Sequence, residues 1–228
     1  MKHTGQTASL NFKDHGAQRY QGAVARHLDD LRAALSCLPE NHAGIRINGI
    51  QRLFPFLTRQ GPIGSIAASV LGPSTRVVRA ILFDKTAQTN WSLAWHQDRT
   101  ICVRQRVDVD GYGPWTIKAG MQHVAPPFDL LTRMVTLRVH LDDVPATNAP
   151  LLIAPGSHRR GRISVDAIEE VVRRCGTRIC TANAGDVWLY STPILHASEA
   201  ATDPMHRRVL QLDFAAEELP GGLEWLGV

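Results

Sequence analysis

Within residues 90–99, "NWSLAWHQDR", a histidine and an aspartate stand two positions apart, His96 and Asp98. Trp91, Leu93 and Trp95 alternate there with Ser92, Ala94 and His96, which reads as a strand. Successive side chains of a strand point to opposite faces, so positions two apart share one. An imidazole and a carboxylate aimed at one point from one rigid element are two donors for a metal. A third donor would complete two histidines and one carboxylate on one face of an octahedron. That is the arrangement of non-haem Fe(II) oxygenases, and it leaves three positions open. Taken alone, the pair has a plainer reading, an exposed strand end with a local His–Asp hydrogen bond.

Support comes downstream. In "NAGDVWLYSTPILHAS" a turn and a strand lead to His196, and Arg207 follows in "HRRVLQLDF". An arginine can hold a carboxylate through two parallel hydrogen bonds. A metal with open positions and an arginine nearby suit a chelating keto acid with a distal carboxylate. The segments "WHQD", "TNAPLLIAPGSHRRG", "AGDVWLYSTPILHAS" and "RRVLQLDF", in this order, resemble the phytanoyl-CoA dioxygenase family of Fe(II)/2-oxoglutarate oxygenases. The resemblance covers roughly residues 76–214.

It implies a double-stranded β-helix (jelly-roll) core. It assigns metal binding to His96, Asp98 and His196, and the distal carboxylate of 2-oxoglutarate to Arg207. Ser198, two residues past the distal histidine, falls where the family often contacts the cosubstrate. It implies Fe(II), 2-oxoglutarate and O₂ as cofactors, and hydroxylation or desaturation of a small organic metabolite with succinate and CO₂ as co-products. Halogenases of this type replace the carboxylate ligand with a small residue, and this chain keeps Asp98. The family usually has Asn-Gly-Pro/Cys-Leu before the PGSH turn, where this chain has Asn148, Ala149, Pro150 and Leu151.

Other residues have rival readings. Thr136, Arg138 and His140 share one strand face; if it is inward, Arg138 and His140 reach cosubstrate or substrate, and otherwise they are partly solvated. The resemblance tips Arg138 towards the cosubstrate. Leu210, Leu212 and Phe214 share a face with Arg208, so patterning alone would bury Arg208 rather than Arg207. A sheet covered on both faces removes that criterion, and spacing from the distal histidine in the family favours Arg207. Lys85 precedes the metal strand and is either solvated or a second contact to an anion. Arg99 follows Asp98 and could attract an acidic substrate. Trp115 and Lys118 are candidates for substrate contact. His158, closing "PGSH", reads as a turn residue capping backbone groups.

These residues need elements to position them. Residues 17–38 carry Val24, Leu28, Leu31, Leu35 and Leu38 at helical spacing, with Pro39 as the stop. "IRINGI" and "RLFPFL" read as extended pieces, and "GPIGSIAASVLGPS" as a short helix. Seven short β-branched or alternating runs follow, from "TRVVRAILF" to "RVLQLDFA". "SVDAIEEVVRRC" reads as a helix capped by Ser164. Helices before strands predict an α+β, mainly β fold: one oxygenase domain over 1–228, with N-terminal helices (1–75) packed on one sheet of a jelly-roll core (76–214). Residues 104–130 show no clean period and are expected to be a lid.

The totals agree. A chain of 228 residues with 44% hydrophobic and 20% charged residues can bury one sizeable core. The formal charge is +4, scattered with no basic run, which argues against nucleic acid. Four cysteines without metal or CxxC spacing fit reduced thiols. A polar start and the lack of a long apolar run predict a cytoplasmic protein with no membrane partner. A small-molecule substrate is expected, an anionic one being an option; oligomeric state is left open. The alternative from another class is a cupin-like metal enzyme or sensor, which needs the metal ligands but not Arg207.

Overall fold

The computed structural model describes residues 9–39 and 42–228. Its strands, all paired antiparallel, build two facing sheets and a smaller third one. The larger sheet holds β1 (Ala17–Tyr20), β2 (Ile45–Ile47), β3 (Arg76–Lys85), β8 (Val135–His140), β11 (Val187–Ser191) and β13 (Arg207–Ala215), in the order β1-β11-β8-β13-β3-β2. The smaller facing sheet holds β4 (Leu93–His96), β9 (Leu151–Ile153), β10 (Arg178–Cys180) and β12 (His196–Ser198), in the order β10-β9-β12-β4. From β8 to β13 the chain passes back and forth between the two sheets, which is the jelly-roll course.

The outer face of the larger sheet carries Leu82, Leu137, Val139, Leu210, Leu212 and Phe214. Helices α2 (Leu28–Leu35), α3 (Phe54–Leu57) and α4 (Gly64–Leu71) cover it with Leu31, Leu57, Ile66 and Ala67. The sheet is therefore buried on both faces, and every residue of β8 is buried. Three further short helices are α1 (Phe12–His15), α5 (Phe128–Thr132) and α6 (Ile168–Cys175). Between the sheets one end is closed by Leu151, Ile153, Trp188, Tyr190 and Ile194. The other end is open and holds the site.

Several local expectations are corrected. The expected helix over 17–38 begins only at Leu28, after a 3-10 turn, and Ala17–Tyr20 is an edge strand paired with β11. Gly16 and Gly22 both take positive φ, which divides the segment before helical periodicity starts. "RLFPFL" is not extended but a 3-10 turn running into α3, with Pro55 in the first turn where its missing N–H is harmless. Ser164 makes no side-chain cap, and α6 starts at Ile168 after a 3-10 turn. Residues 104–130 are less irregular than expected. They contain β6 (Trp115–Lys118) and β7 (Met121–Val124), which with β5 (Ile101–Val103) make the third sheet, in the order β5-β7-β6. Cys37, Cys102, Cys175 and Cys180 are free thiols, as the spacing predicts. Among the described residues no helix is long and apolar enough to cross a membrane.

Candidate metal centre

The site is built where β4 meets β12. His96, the last residue of β4, is the direct cross-strand partner of His196, the first of β12. Their rings lie 4.2 Å apart. Asp98 follows just past the strand end, and the potential ligand atoms of His96, Asp98 and His196 all lie within 4.8 Å of one another. One irregularity shapes the pairing. His196 pairs with His96 but Ser198 pairs with Leu93, so two steps on β12 span three on β4. Such a bulge re-aims side chains, and it breaks the even alternation read from residues 91–96. Leu93 and His96 both line the site cavity.

Both imidazoles are oriented by backbone. His96 Nδ1–H donates to the Ala94 carbonyl at 2.8 Å, and His196 Nδ1–H to the Ile194 carbonyl at 3.0 Å. A carbonyl only accepts, so the proton sits on Nδ1 and the Nε2 lone pair is left for a metal. Burial, with His96 beside it, holds His196 well below the usual imidazole range and so neutral. Burial works to raise the Asp98 carboxyl, but nearby positive charge, Arg79 foremost, outweighs it and holds it below the usual carboxylate range. A neutral imidazole and an ionised carboxylate are the forms that bind metal.

Two positioning residues carried no motif. Gln97, between the ligands, points away from the cavity. Its amide donates to the carbonyls of Gly161 (3.0 Å) and Pro193 (2.8 Å) and accepts from Ile163 N–H (2.9 Å). It ties the His-x-Asp segment to the PGSH loop and to the approach to His196. Arg79 on β3 is ion-paired with Asp213 (2.5 Å) and with Asp98 (3.4 Å). Burial disfavours its charge, but Asp213 and then Asp98 keep it firmly protonated. A faint signal existed, an arginine inside the otherwise apolar "RVVRAILF". Ser157, not His158, does the work in the PGSH turn: its Oγ accepts from Leu195 N–H at 2.9 Å. The His158 ring instead packs onto Gly16, where an added Cβ would lie 2.2 Å from it.

Across the cavity stands the inner face of the larger sheet. Antiparallel partners share a face, so the register arranges this wall in rows: Arg79 with Asp213 and Thr136, Ile81 with Gln211 and Arg138, Phe83 with Val209 and His140, Lys85 with Arg207. Adjacent Arg207 and Arg208 point to opposite sides of the sheet. Arg207 is turned inward and 2% exposed. Arg208 is turned outward and held by Asp142 through two side-chain bonds, at 2.9 and 2.7 Å. Unlike Arg79, the inward cations Arg138, Arg207 and Lys85 form no ion pair among the described residues. Arg138 donates to the neutral Gln211 side chain at 3.1 Å and lies 5.2 Å from the Phe83 ring. Among the described residues Arg207 Nε and both ring nitrogens of His140 have no hydrogen-bond partner. Burial, and then Arg138, push Arg207 down to about 9, so it stays a cation at neutral pH. Lys85 donates to the Trp91 carbonyl at 2.7 Å and sits over its ring. Burial, then Arg207 and Arg138, push Lys85 down to about 7.

The cavity itself measures about 310 Å³. Its walls include the three candidate ligands, Ser198, Arg138 and Lys118 from the sequence reading, and Arg46 and Phe83, which that reading missed. Arg207, Lys85 and His140 lie next along the same sheet face, behind Phe83 and Arg138. Arg99 and Trp115 are not at the cavity. The Arg99 guanidinium is spent on the Ile163 carbonyl at 2.5 Å, and Trp115 packs into the cluster around Val124 with Arg106 over its ring.

The sequence matches the phytanoyl-CoA dioxygenase (PhyH) family over residues 11–209. The chain belongs to this family. Solved structures with the same fold include EctD from S. alaskensis with 2-oxoglutarate and 5-hydroxyectoine, 17% identical, covering 98% of this chain and 82% of that one at TM-score 0.64. HygX from Streptomyces hygroscopicus, with nickel, 2-oxoglutarate and hygromycin B, is 15% identical and covers 90% of this chain and 84% of that one at TM-score 0.61. The epimerase SnoN from nogalamycin biosynthesis, described as α-ketoglutarate dependent, is 15% identical, with 92% and 85% covered at TM-score 0.62. No curated protein matches in sequence. Family membership and the His-Asp-His cluster together support a non-haem iron and 2-oxoglutarate-dependent dioxygenase, and as a PhyH-family member the chain has the expected strand-rich jelly roll.

Proposed function

We propose that this PhyH-family protein hydroxylates or desaturates a small organic metabolite, with His96, Asp98 and His196 holding the iron. The observation that carries this reading is the convergence of the three side chains within 4.8 Å, facing Arg138, Arg207 and Lys85, which form no ion pair among the described residues. Held by these residues, ferrous iron would supply the oxidising power together with 2-oxoglutarate and O₂, with succinate and CO₂ as co-products. The chain's own part is positioning, charge and exclusion of water.

His96 and His196 present Nε2 because their Nδ1–H groups are tied to backbone. Asp98 stays ionised through Arg79. Arg207, with Lys85 beside it and Arg138 at the cavity wall, holds the distal carboxylate of the keto acid, and His140, without a hydrogen-bond partner among the described residues, adds a neutral donor. Ser198, whose hydroxyl now makes only long bonds to the Ala149 and Glu199 carbonyls (3.3 and 3.4 Å), turns to assist. Phe83, Ile81, Leu93 and Leu151 form the apolar walls. The β6–β7 hairpin, which brings Lys118 to the cavity, covers the entrance. A cavity of about 310 Å³ is at the small end for ligand sites, which favours a small metabolite over a large ester.

The test is iron- and oxygen-dependent formation of succinate from 2-oxoglutarate by the purified protein. Succinate formed equally without added iron, or in Asp98→Ala, would remove the reading. Lys85 adds a pH signature. In the empty site Lys85 loses its proton as pH rises through about 7. A bound carboxylate favours the protonated amine, so binding above that pH takes up a proton. The affinity for 2-oxoglutarate is therefore expected to fall as pH rises past about 7, by up to about tenfold per unit. In Lys85→Met the profile should flatten; an unchanged slope there would take Lys85 out of the cosubstrate site.

A further inference from the structure

On the proposed reading the cosubstrate accounts for only one of two groups of cations, Arg207 and Lys85 on the sheet face behind the cavity. Arg207 is the register partner of Lys85, while Arg46 on β2 is the register partner of Ile81. Those positions on β3 are four residues apart, about 13 Å of strand, longer than a five-carbon dicarboxylate. Arg46 shares the inward face with Ile81 and lines the cavity together with Lys118 from the β6–β7 hairpin. Among the described residues neither takes part in an ion pair, and Arg46 Nε is buried without a partner. Asp98, the carboxylate that lines the cavity, is engaged with Arg79, as is Asp213. Arg79 is itself a cation beside Arg46 and makes its charge less favourable still. A guanidinium kept half-buried among cations is a cost to the fold unless an anion completes it. Its planar fork suits a carboxylate.

We infer that the substrate is a small carboxylate-bearing molecule, its carboxylate held between Arg46 and Lys118 with the rest of the molecule reaching towards the His96–Asp98–His196 cluster. This rests on the oxygenase reading and adds to it the class of substrate and the residues that select it. The apolar walls at Leu93 and Leu151 would take the carbon chain, and the charged end fixes which carbon faces the metal.

The experiment uses protein loaded with nickel(II), to prevent turnover, and saturated with 2-oxoglutarate. Acetate, acetamide, inorganic phosphate and sodium chloride are each titrated while thermal unfolding is followed. Acetate tenfold above its dissociation constant is expected to raise the unfolding temperature by about 3–6 °C. Acetamide and chloride at equal ionic strength should not. In Arg46→Gln the rise is lost, and in Lys118→Ala it is reduced; the Lys118 variant keeps the test alive if the first does not fold. An equal acetate effect in Arg46→Gln, or an equal effect of acetamide, overturns the inference. A larger shift with phosphate overturns the carboxylate assignment. Iron-loaded Arg46→Gln should still show the visible band of chelated 2-oxoglutarate. Absence of that band from the wild type would defeat the oxygenase reading instead, so the two failures are distinguishable.

Discussion

Arg207→Met is expected to make the empty protein more stable and to weaken 2-oxoglutarate binding by about 30- to 1,000-fold, or about 2–4 kcal/mol. The first half follows from what surrounds Arg207. It is 2% exposed, its Nε has no partner, and the charges that act on it are cationic. Replacing a buried, uncompensated charge with an apolar side chain of similar length should gain about 1–3 kcal/mol in denaturant unfolding. The second half follows if that charge exists for a ligand carboxylate. A purely structural arginine would behave oppositely, since its loss would lower stability and leave affinity alone. Arg138→Met is the control for position. If that change removes 2-oxoglutarate binding while Arg207→Met leaves it intact, the anchor is Arg138 at the cavity wall.

Arg79→Met should have the opposite effect on the fold. Arg79 is the counter-charge of two carboxylates, Asp213 and Asp98. Removing it leaves both facing each other in a largely buried place, and breaking such a pair costs about 3–5 kcal/mol. The pH dependence has a definite sign. Without Arg79 the folded-state carboxyls rise above their unfolded values, so the folded state binds more protons. Stability then falls as pH rises from the ordinary carboxylate range, and the deficit is smallest in acid. The neutral Asp98 would also bind metal poorly near neutrality. The double variant Arg79→Met/Asp213→Leu removes one of the stranded carboxyls and should recover part of the loss in denaturant unfolding. No recovery would mean that Arg79 acts through packing instead of charge.

Much of this was legible from residues alone, for a definite reason. His96, Asp98 and His196 are chemically unusual residues at fixed offsets, and the strand carrying His96 was legible from its alternation, although it ends before Asp98 and is bulged against β12. Arg207 against Arg208 did not read from pattern. Both faces of the larger sheet are covered, by helices on one side and the cavity on the other, so burial carries no sign; the register with Lys85 and the Asp142 contact show Arg207 turned inward and Arg208 outward. Ala17–Tyr20 looked helical because its helical spacing runs into α2, but pairing with β11 overrides local preference. The β6–β7 hairpin was hidden because its turn is Ala119-Gly120, both at positive φ, in place of the usual Asn-Gly signal. Gln97, Arg79 and Arg46 matter through partners distant in sequence, which one sequence read locally does not reveal.

The central claim is that His96, Asp98 and His196 hold ferrous iron with 2-oxoglutarate chelated to it. The most direct measurement is an anaerobic titration of the metal-free protein with Fe(II) and then 2-oxoglutarate, followed by visible absorption. The expected result is the weak metal-to-ligand charge-transfer band of a chelated keto acid, saturating at one equivalent of iron and absent from His96→Ala. Iron binding without the band would contradict the account and favour a cupin-like metal site of another chemistry. A protein that binds no iron at all would reduce the three side chains to a hydrogen-bonded strand end.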